Sequence, residues 1–480
     1  MLLKPTKTAI ILFIGSLLLY WVFAYELERT QYLLLVTIYA LLFLGFYKIL
    51  NTYRNQTGLL TLLAFCFRAV FLLAIPNLSQ DFYRFIWDGR LVLQGINPYL
   101  HTVESFIVNN QLPVPQSLEL YKGMGALNAS HFTNYPPINQ LCFVIAAFLS
   151  NTNIMGSVVV MRLIIILADF GTLFFGKKLL GHLNLPEHHI YWYMLNPLII
   201  IELTGNLHFE GIMIFFLIWS LYLLFQRKRL LAAVVLALSI STKLIPLIFL
   251  PLFFQFFVGK RLFFDEKTTT SSNLDIEIQQ NQSGTWKSIK RLVNFYTIVI
   301  GTVLLFFLPF YSKEFVSNYT KTVALWFQNF EFNASIYYIA RAIGYTFRGY
   351  NEIAIIGKYS AILVITYTLA IAFFRKNKSA KQLVTAMLLI LSFYYFTATT
   401  VHPWYIATLL ALSIFTRYKF PLVWSSVIIL SYLAYLNVNS MDKSENLLII
   451  TLEYTIVYSA VIWELFIKKA PERGVTSNFS

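Results

Sequence analysis

Charge is what this sequence has least of. Asp, Glu, Lys and Arg make up 12% of its 480 residues, about half of the ~25% with which a soluble domain covers its core. Cysteine is nearly absent too: Cys66 and Cys142 are the only two, each inside an apolar stretch. They read as small core residues, which excludes a disulfide framework or a CxxC metal site. No Walker loop, Rossmann fingerprint, HExxH or DxD pair occurs, so the chain shows neither a nucleotide-donor site nor a metal cage. A fixed-period repeat is also missing.

Apolar residues fill the space that charge leaves. The chain is 58% hydrophobic and 17% aromatic, with a mean hydropathy of +0.65. Runs such as Ala9–Tyr20, Leu33–Tyr47 and Ile353–Phe374 are long enough to face lipid. Backbone polar groups in lipid must be satisfied within the segment, so these runs are helices. The expected fold class is all-α, a polytopic membrane bundle of about 12–14 transmembrane helices with a re-entrant or interfacial outer-loop region. Lys4 and Lys7 precede an apolar run, as in a signal peptide, but no small-x-small site comes before Glu26. A retained first helix is therefore expected.

Spans are expected near 8–24, 31–50, 58–76, 154–175, 189–204, 211–226, 230–245, 246–258, 292–310, 355–374, 381–398, 403–416, 421–438 and 447–467. With both termini cytoplasmic, the inner segments hold 24 Lys and Arg and the outer segments 9. This positive-inside bias accounts for the net charge of +15 without a nucleic-acid partner. Ile138–Ser150 is too short to cross and reads as re-entrant, following Pro136 and Pro137. The chain divides into N-terminal helices (1–76), a large outer loop with amphipathic and re-entrant helices (77–153), further spans (154–258), a cytoplasmic polar loop (259–291) and C-terminal spans (292–480) with an outer loop at 311–354. Within the polar loop, Asp265–Thr285 is low in complexity and reads as disordered.

Candidate chemistry gathers on the outer side. If 80–93 is helical, Asp81, Arg84 and Asp88 share one face, and two carboxylates flank one guanidinium. The alternative is an interfacial helix whose charges simply meet water. Asn206, His208 and Glu210 sit at a helix junction, Lys243 ends an apolar segment before Pro246, and His402 precedes Pro403. Each alone is more often a satisfied interhelical polar residue, or a snorkelling lysine, than a catalyst. Their convergence on one face favours function, because ionisable groups at membrane depth are costly.

The block DFYRFIWDGRLVLQGINPY (81–99), then NYPPINQ (134–140), LNPLIIIELTGNLHFEGIMI (195–214), STKLIPLIFLP (241–251) and HPWY (402–405), resembles the GT-C superfamily of membrane glycosyltransferases. The likeness is nearest to the polyprenyl-phosphate-mannose-dependent mannosyltransferases. It implies transfer of one sugar, mannose in that family, from a polyprenyl-phosphate donor to a glycolipid or glycan acceptor on the non-cytoplasmic face. No cofactor or metal is implied. The family's base, an aspartate early in the first large outer loop, matches Asp81, with Asp88 as second choice. One departure is that this loop follows the third expected span rather than the first. Lys243, His402, Arg84 and Arg90 are the candidates for the donor phosphate. Asn97, Tyr99, Tyr135, Asn206, His208, Glu210, Trp404 and Tyr405 are those for acceptor or substrate.

A multi-span transporter or lipid flippase is the rival class, since transporters also combine many spans with intramembrane charge; a lipid-linked glycan ligase or polymerase is a third. The motifs suggest a bacterial plasma membrane. Asn128 and Asn333 stand in N-x-S triplets, which would accept glycans in an endoplasmic reticulum, although such triplets are common by chance.

Overall fold

The structure, a computed structural model, describes residues 7–258, 274–437 and 445–467, with the backbone alone at 274–284, 326–328 and 434–437. Its regular elements are helical; the described residues contain one isolated bridge, Phe332 to Thr400, and no strand. Among them, seven helices are long and apolar enough to cross a membrane: Lys7–Tyr25, Tyr32–Tyr53, Ile154–His182, Thr285–Phe310, Ile353–Phe374, Ala380–Thr397 and Leu447–Ile467. Ile199–Gly205 and Glu210–Phe225, on which two of the expected spans fall, are a pair bent by 110°, either one broken span or a re-entrant loop. Five further expected spans fall on shorter apolar helices, Thr57–Val70, Arg229–Thr242, Ile245–Val258, Pro403–Ser413 and Phe420–Leu433. The chain is an integral, multi-pass membrane protein built as an all-α bundle.

The polar loop differs from expectation. Residues 259–273 lie outside the described residues, but from Leu274 the backbone is already helical and runs unbroken to Phe307. Glu and Gln are good helix formers, so the polar turns can continue the apolar helix instead of ending before it.

Residues 77–153 centre on three helices, α1 (Asp81–Leu93), α2 (Ser117–Ala129) and α3 (Pro137–Ser150). At 1.5 Å per residue α3 is about 21 Å long, short of the ~30 Å hydrocarbon core. It packs between α1 and the long helix α4 (Ile154–His182). Gly89 is where α1 meets α3: a β carbon there would lie 2.3 Å from the carbonyl oxygen of Phe143. Gly89→Ala is therefore expected to push the helices apart and cost about 1–3 kcal/mol, read as a lowered thermal midpoint in detergent. An unchanged midpoint would mean that α1 slides at no cost.

Buried guanidinium groups fix the frame around the bend. Arg68, fully buried, pairs with Asp169 at 2.7 Å and also donates to the carbonyls of Ala64 and Met194. Arg162, also fully buried, donates to the carbonyls of Thr204, Gly205 and Leu72 at 2.8, 2.9 and 3.0 Å. The carbonyls of Thr204 and Gly205 end the π-helical turn Ile199–Gly205, and a helix end leaves such groups without intrahelical partners. Arg162 thereby supports the sharp bend from which Asn206, His208 and Glu210 project.

Candidate active site

Asp81 opens α1, where the positive end of the helix dipole favours a carboxylate. It is half-buried, its backbone amide donates to Ser79 Oγ at 3.3 Å, and its Oδ1 accepts from Asn128 Nδ2 at 3.4 Å. Burial pushes its carboxyl above the usual carboxylate range; Lys243 nearby pulls it back, and Glu210 raises it again. These three groups, which come from distant parts of the chain, therefore share one neighbourhood. Lys243 and Glu210 form an ion pair at 3.1 Å, and the Lys243 ammonium lies 5.3 Å over the ring of Tyr135.

Lys243 reaches this position because its helix, Arg229–Thr242, stops there. Its φ of −147° and ψ of 139° are extended, and Pro246 and Pro251 then impose a 3-10 segment, Ile245–Leu252. A polar pair thus heads an apolar wall. Next to it lies a cavity of about 300 Å³ lined by Leu244, Ile245, Ile248, Gly357, Val364 and Tyr394. The far side of the site is aromatic. His208 stacks on Trp404 at 3.7 Å, Trp404 on His402 at 4.4 Å, and His402 on Phe332 at 4.9 Å. Tyr405 stacks on Tyr395 at 5.6 Å.

Several expected site residues have other partners. Of its two neighbouring carboxylates, Arg84 forms an ion pair with Asp88, one helical turn on at 2.8 Å, while its charge also acts on Asp81. It donates as well to the carbonyls of Asn128 and His131, each at 3.0 Å. Asp88 is fully buried and its second oxygen accepts from Gln140 at 3.1 Å. Both groups are thus buried and engaged with one another and with the neighbouring loop. Arg90 donates to the carbonyls of Pro115 and Thr152 and to Gln116 Oε1, which ties the loop together instead of facing a phosphate. Asn97 bridges the Phe310 carbonyl and the Tyr99 amide, and Tyr99, fully buried, donates to the carbonyl of Tyr135. Asn206 accepts from the backbone amide of Leu78 at 3.1 Å and so joins the bend to the segment that leads into Asp81.

The triplet asparagines are engaged as well. Asn333 is fully buried, its side-chain amide donates to Glu453 at 3.2 Å and its backbone carbonyl accepts from Tyr454 at 2.7 Å, so its side chain offers no glycan acceptor. Asn128 instead serves Asp81. Glu202, fully buried beside His208, is the residue that motif reading passed over. An acid inside the apolar run IIIELTG was the available signal. Among the described residues, no group of three or more His, Cys, Asp or Glu side chains is arranged to hold a metal ion.

No curated protein matches the chain. Residues 8–259, just over half of it, match the family described as "Alpha-(1->6)-mannopyranosyltransferase, N-terminal domain". That range holds Asp81, Glu202, His208, Glu210 and Lys243; His402, Trp404 and Tyr405 lie beyond it. A multi-pass helical membrane protein with this match belongs to the MptA_B family, and is a GT-C-type membrane mannosyltransferase.

Proposed function

We propose that the chain moves one mannose from a polyprenyl-phosphate donor to a hydroxyl of a mannose-bearing glycolipid or glycan acceptor, on the non-cytoplasmic face of a bacterial plasma membrane. The supporting observation is the joining of two environments: a carboxylate and an ammonium at one polar point, Asp81 and Lys243, and an apolar cavity that begins at Leu244. A lipid phosphate needs both, a cation for its head and an apolar path for its chain.

In the reaction, Asp81 takes the proton of the acceptor hydroxyl as its oxygen attacks the anomeric carbon. The bond from that carbon to the phosphate oxygen breaks, and the lipid phosphate leaves with the electron pair, its charge met by Lys243. One displacement inverts the anomeric centre. An α-(1→6) product, as in the family's description, then requires a β-linked donor and the primary hydroxyl of a mannose as acceptor. His208, Trp404, Tyr405 and Tyr135 border the space for the two sugars.

Purified protein in lipid nanodiscs, given β-mannosyl polyprenyl phosphate and an α-mannoside, is expected to form an α-(1→6) disaccharide by NMR. Transfer from GDP-mannose in place of the lipid donor would sink the reading. Facilitated release of a sealed-in lipid or sugar without transfer would favour a transporter. Sidedness is tested separately. Cysteines at Leu112, 59% exposed, and at exposed Lys376 are expected to react with an impermeant maleimide from the outer and inner faces respectively. Labelling of both from one face contradicts the topology.

A further inference from the structure

We propose that Glu202 is a positioning residue for the transfer: its carboxylate holds the His208 imidazole in one tautomer and one orientation, so that His208 accepts a hydrogen bond from a hydroxyl of the bound sugar. This rests on the reading of the pocket as the mannosyl-transfer site.

Glu202 sits with no side-chain exposure to speak of, inside the bent apolar segment Ile199–Gly205. A carboxylate there is expensive to keep, so it needs a role. One oxygen, Oε1, accepts from the Tyr432 hydroxyl at 2.8 Å. The other, Oε2, faces His208 Nε2 at 3.6 Å. Both of these atoms are buried and neither has a hydrogen-bond partner. The separation is too long for a hydrogen bond, and the Asn206 side chain also lies against the Glu202 carboxyl group. Hydrogen bonds that orient a reacting group are often long in an empty site and tighten when substrate fills it. The pair has the geometry of such a contact.

The rest of the surroundings leaves His208 little freedom except to close on Glu202. Its ring lies against Trp404 with 17° between the planes, and its backbone amide donates to the Glu202 carbonyl at 3.3 Å. The preceding residue, Leu207, has φ of 61°, a left-handed conformation that a branched side chain adopts only when its surroundings impose it. When Glu202 is ionised, its oxygen against Nε2 keeps the imidazole proton on Nε2 and leaves Nδ1 as an acceptor. A hexose hydroxyl is the donor that such an acceptor suits.

Kinetics of Glu202→Gln, His208→Ala and the double variant, with β-mannosyl polyprenyl phosphate and an α-mannoside, test this. Gln keeps the size and the Tyr432 contact but does not hold the tautomer by charge. Glu202→Gln is expected to lower kcat about 10²-fold with KM for the lipid donor unchanged. In the His208→Ala background the same substitution is expected to change kcat by no more than about 2-fold. Equal losses in both backgrounds would make Glu202 a structural bolt between Tyr432 and the bend and overturn the proposal, as would full activity of Glu202→Gln. Full activity of His208→Ala, by contrast, removes the pocket reading itself. If Glu202→Gln does not fold, Glu202→Asp keeps the charge and withdraws it by one methylene, and the same cycle decides.

Discussion

Asp81→Asn is expected to lower mannosyl transfer by about 10²–10⁴-fold, or ~3–5 kcal/mol of barrier, with folding and donor-lipid binding retained. The amide matches the carboxylate in size and can still meet Asn128, but it cannot take the acceptor's proton. Asp88→Asn should behave differently, because Asp88 is fully buried and bound to Arg84 and Gln140. Its loss leaves a buried guanidinium without its partner, so the expected effect is on the thermal midpoint. Full activity in Asp81→Asn together with an inactive but well-folded Asp88→Asn would move the base to Asp88. The pH profile carries a second signature. The Asp81 carboxyl is raised chiefly by burial, lowered by Lys243 and raised by Glu210. As the base must be ionised, activity should fall with falling pH through a value above the ordinary carboxylate range. Glu210→Gln removes a raising charge and should move that acid limb to lower pH. An acid limb unmoved in Glu210→Gln would detach it from Asp81.

Lys243 offers the other large effect. Lys243→Ala removes the cation paired with Glu210 at 3.1 Å and, on the proposed reading, the charge that meets the lipid phosphate. Truncating one member of a largely desolvated charged pair costs about 2–5 kcal/mol, expected here as a loss of kcat/KM for the donor of about 30- to 5000-fold. Lys243→Arg should recover part of it, since the charge remains but the planar fork differs from a point ammonium. The acid limb should also move to higher pH in Lys243→Ala, because the group that lowers Asp81 is gone. Near-normal activity in both variants would return Lys243 to an ordinary interfacial lysine.

The membrane class and the helical fold were legible in the sequence, because lipid imposes long apolar runs on any chain that crosses it. The helix at 80–93 and the break before Pro246 follow from local pattern, whereas the convergence of Asp81, Glu210, Lys243 and His402 was expected only through the assigned order of spans. Tertiary structure decided which of the charges are available. Arg84, Asp88 and Arg90 look as chemical as Asp81 in the text DFYRFIWDGR, yet packing of α1 on α3 spends them on one another and on loop carbonyls. Glu202 reads as one acid in an apolar run until the 110° bend turns it toward His208. Periodicity tells which face of a helix a side chain occupies, but what covers that face comes from residues tens to hundreds of positions away, and in a low-dielectric interior that cover determines whether a charge is structural or free to act.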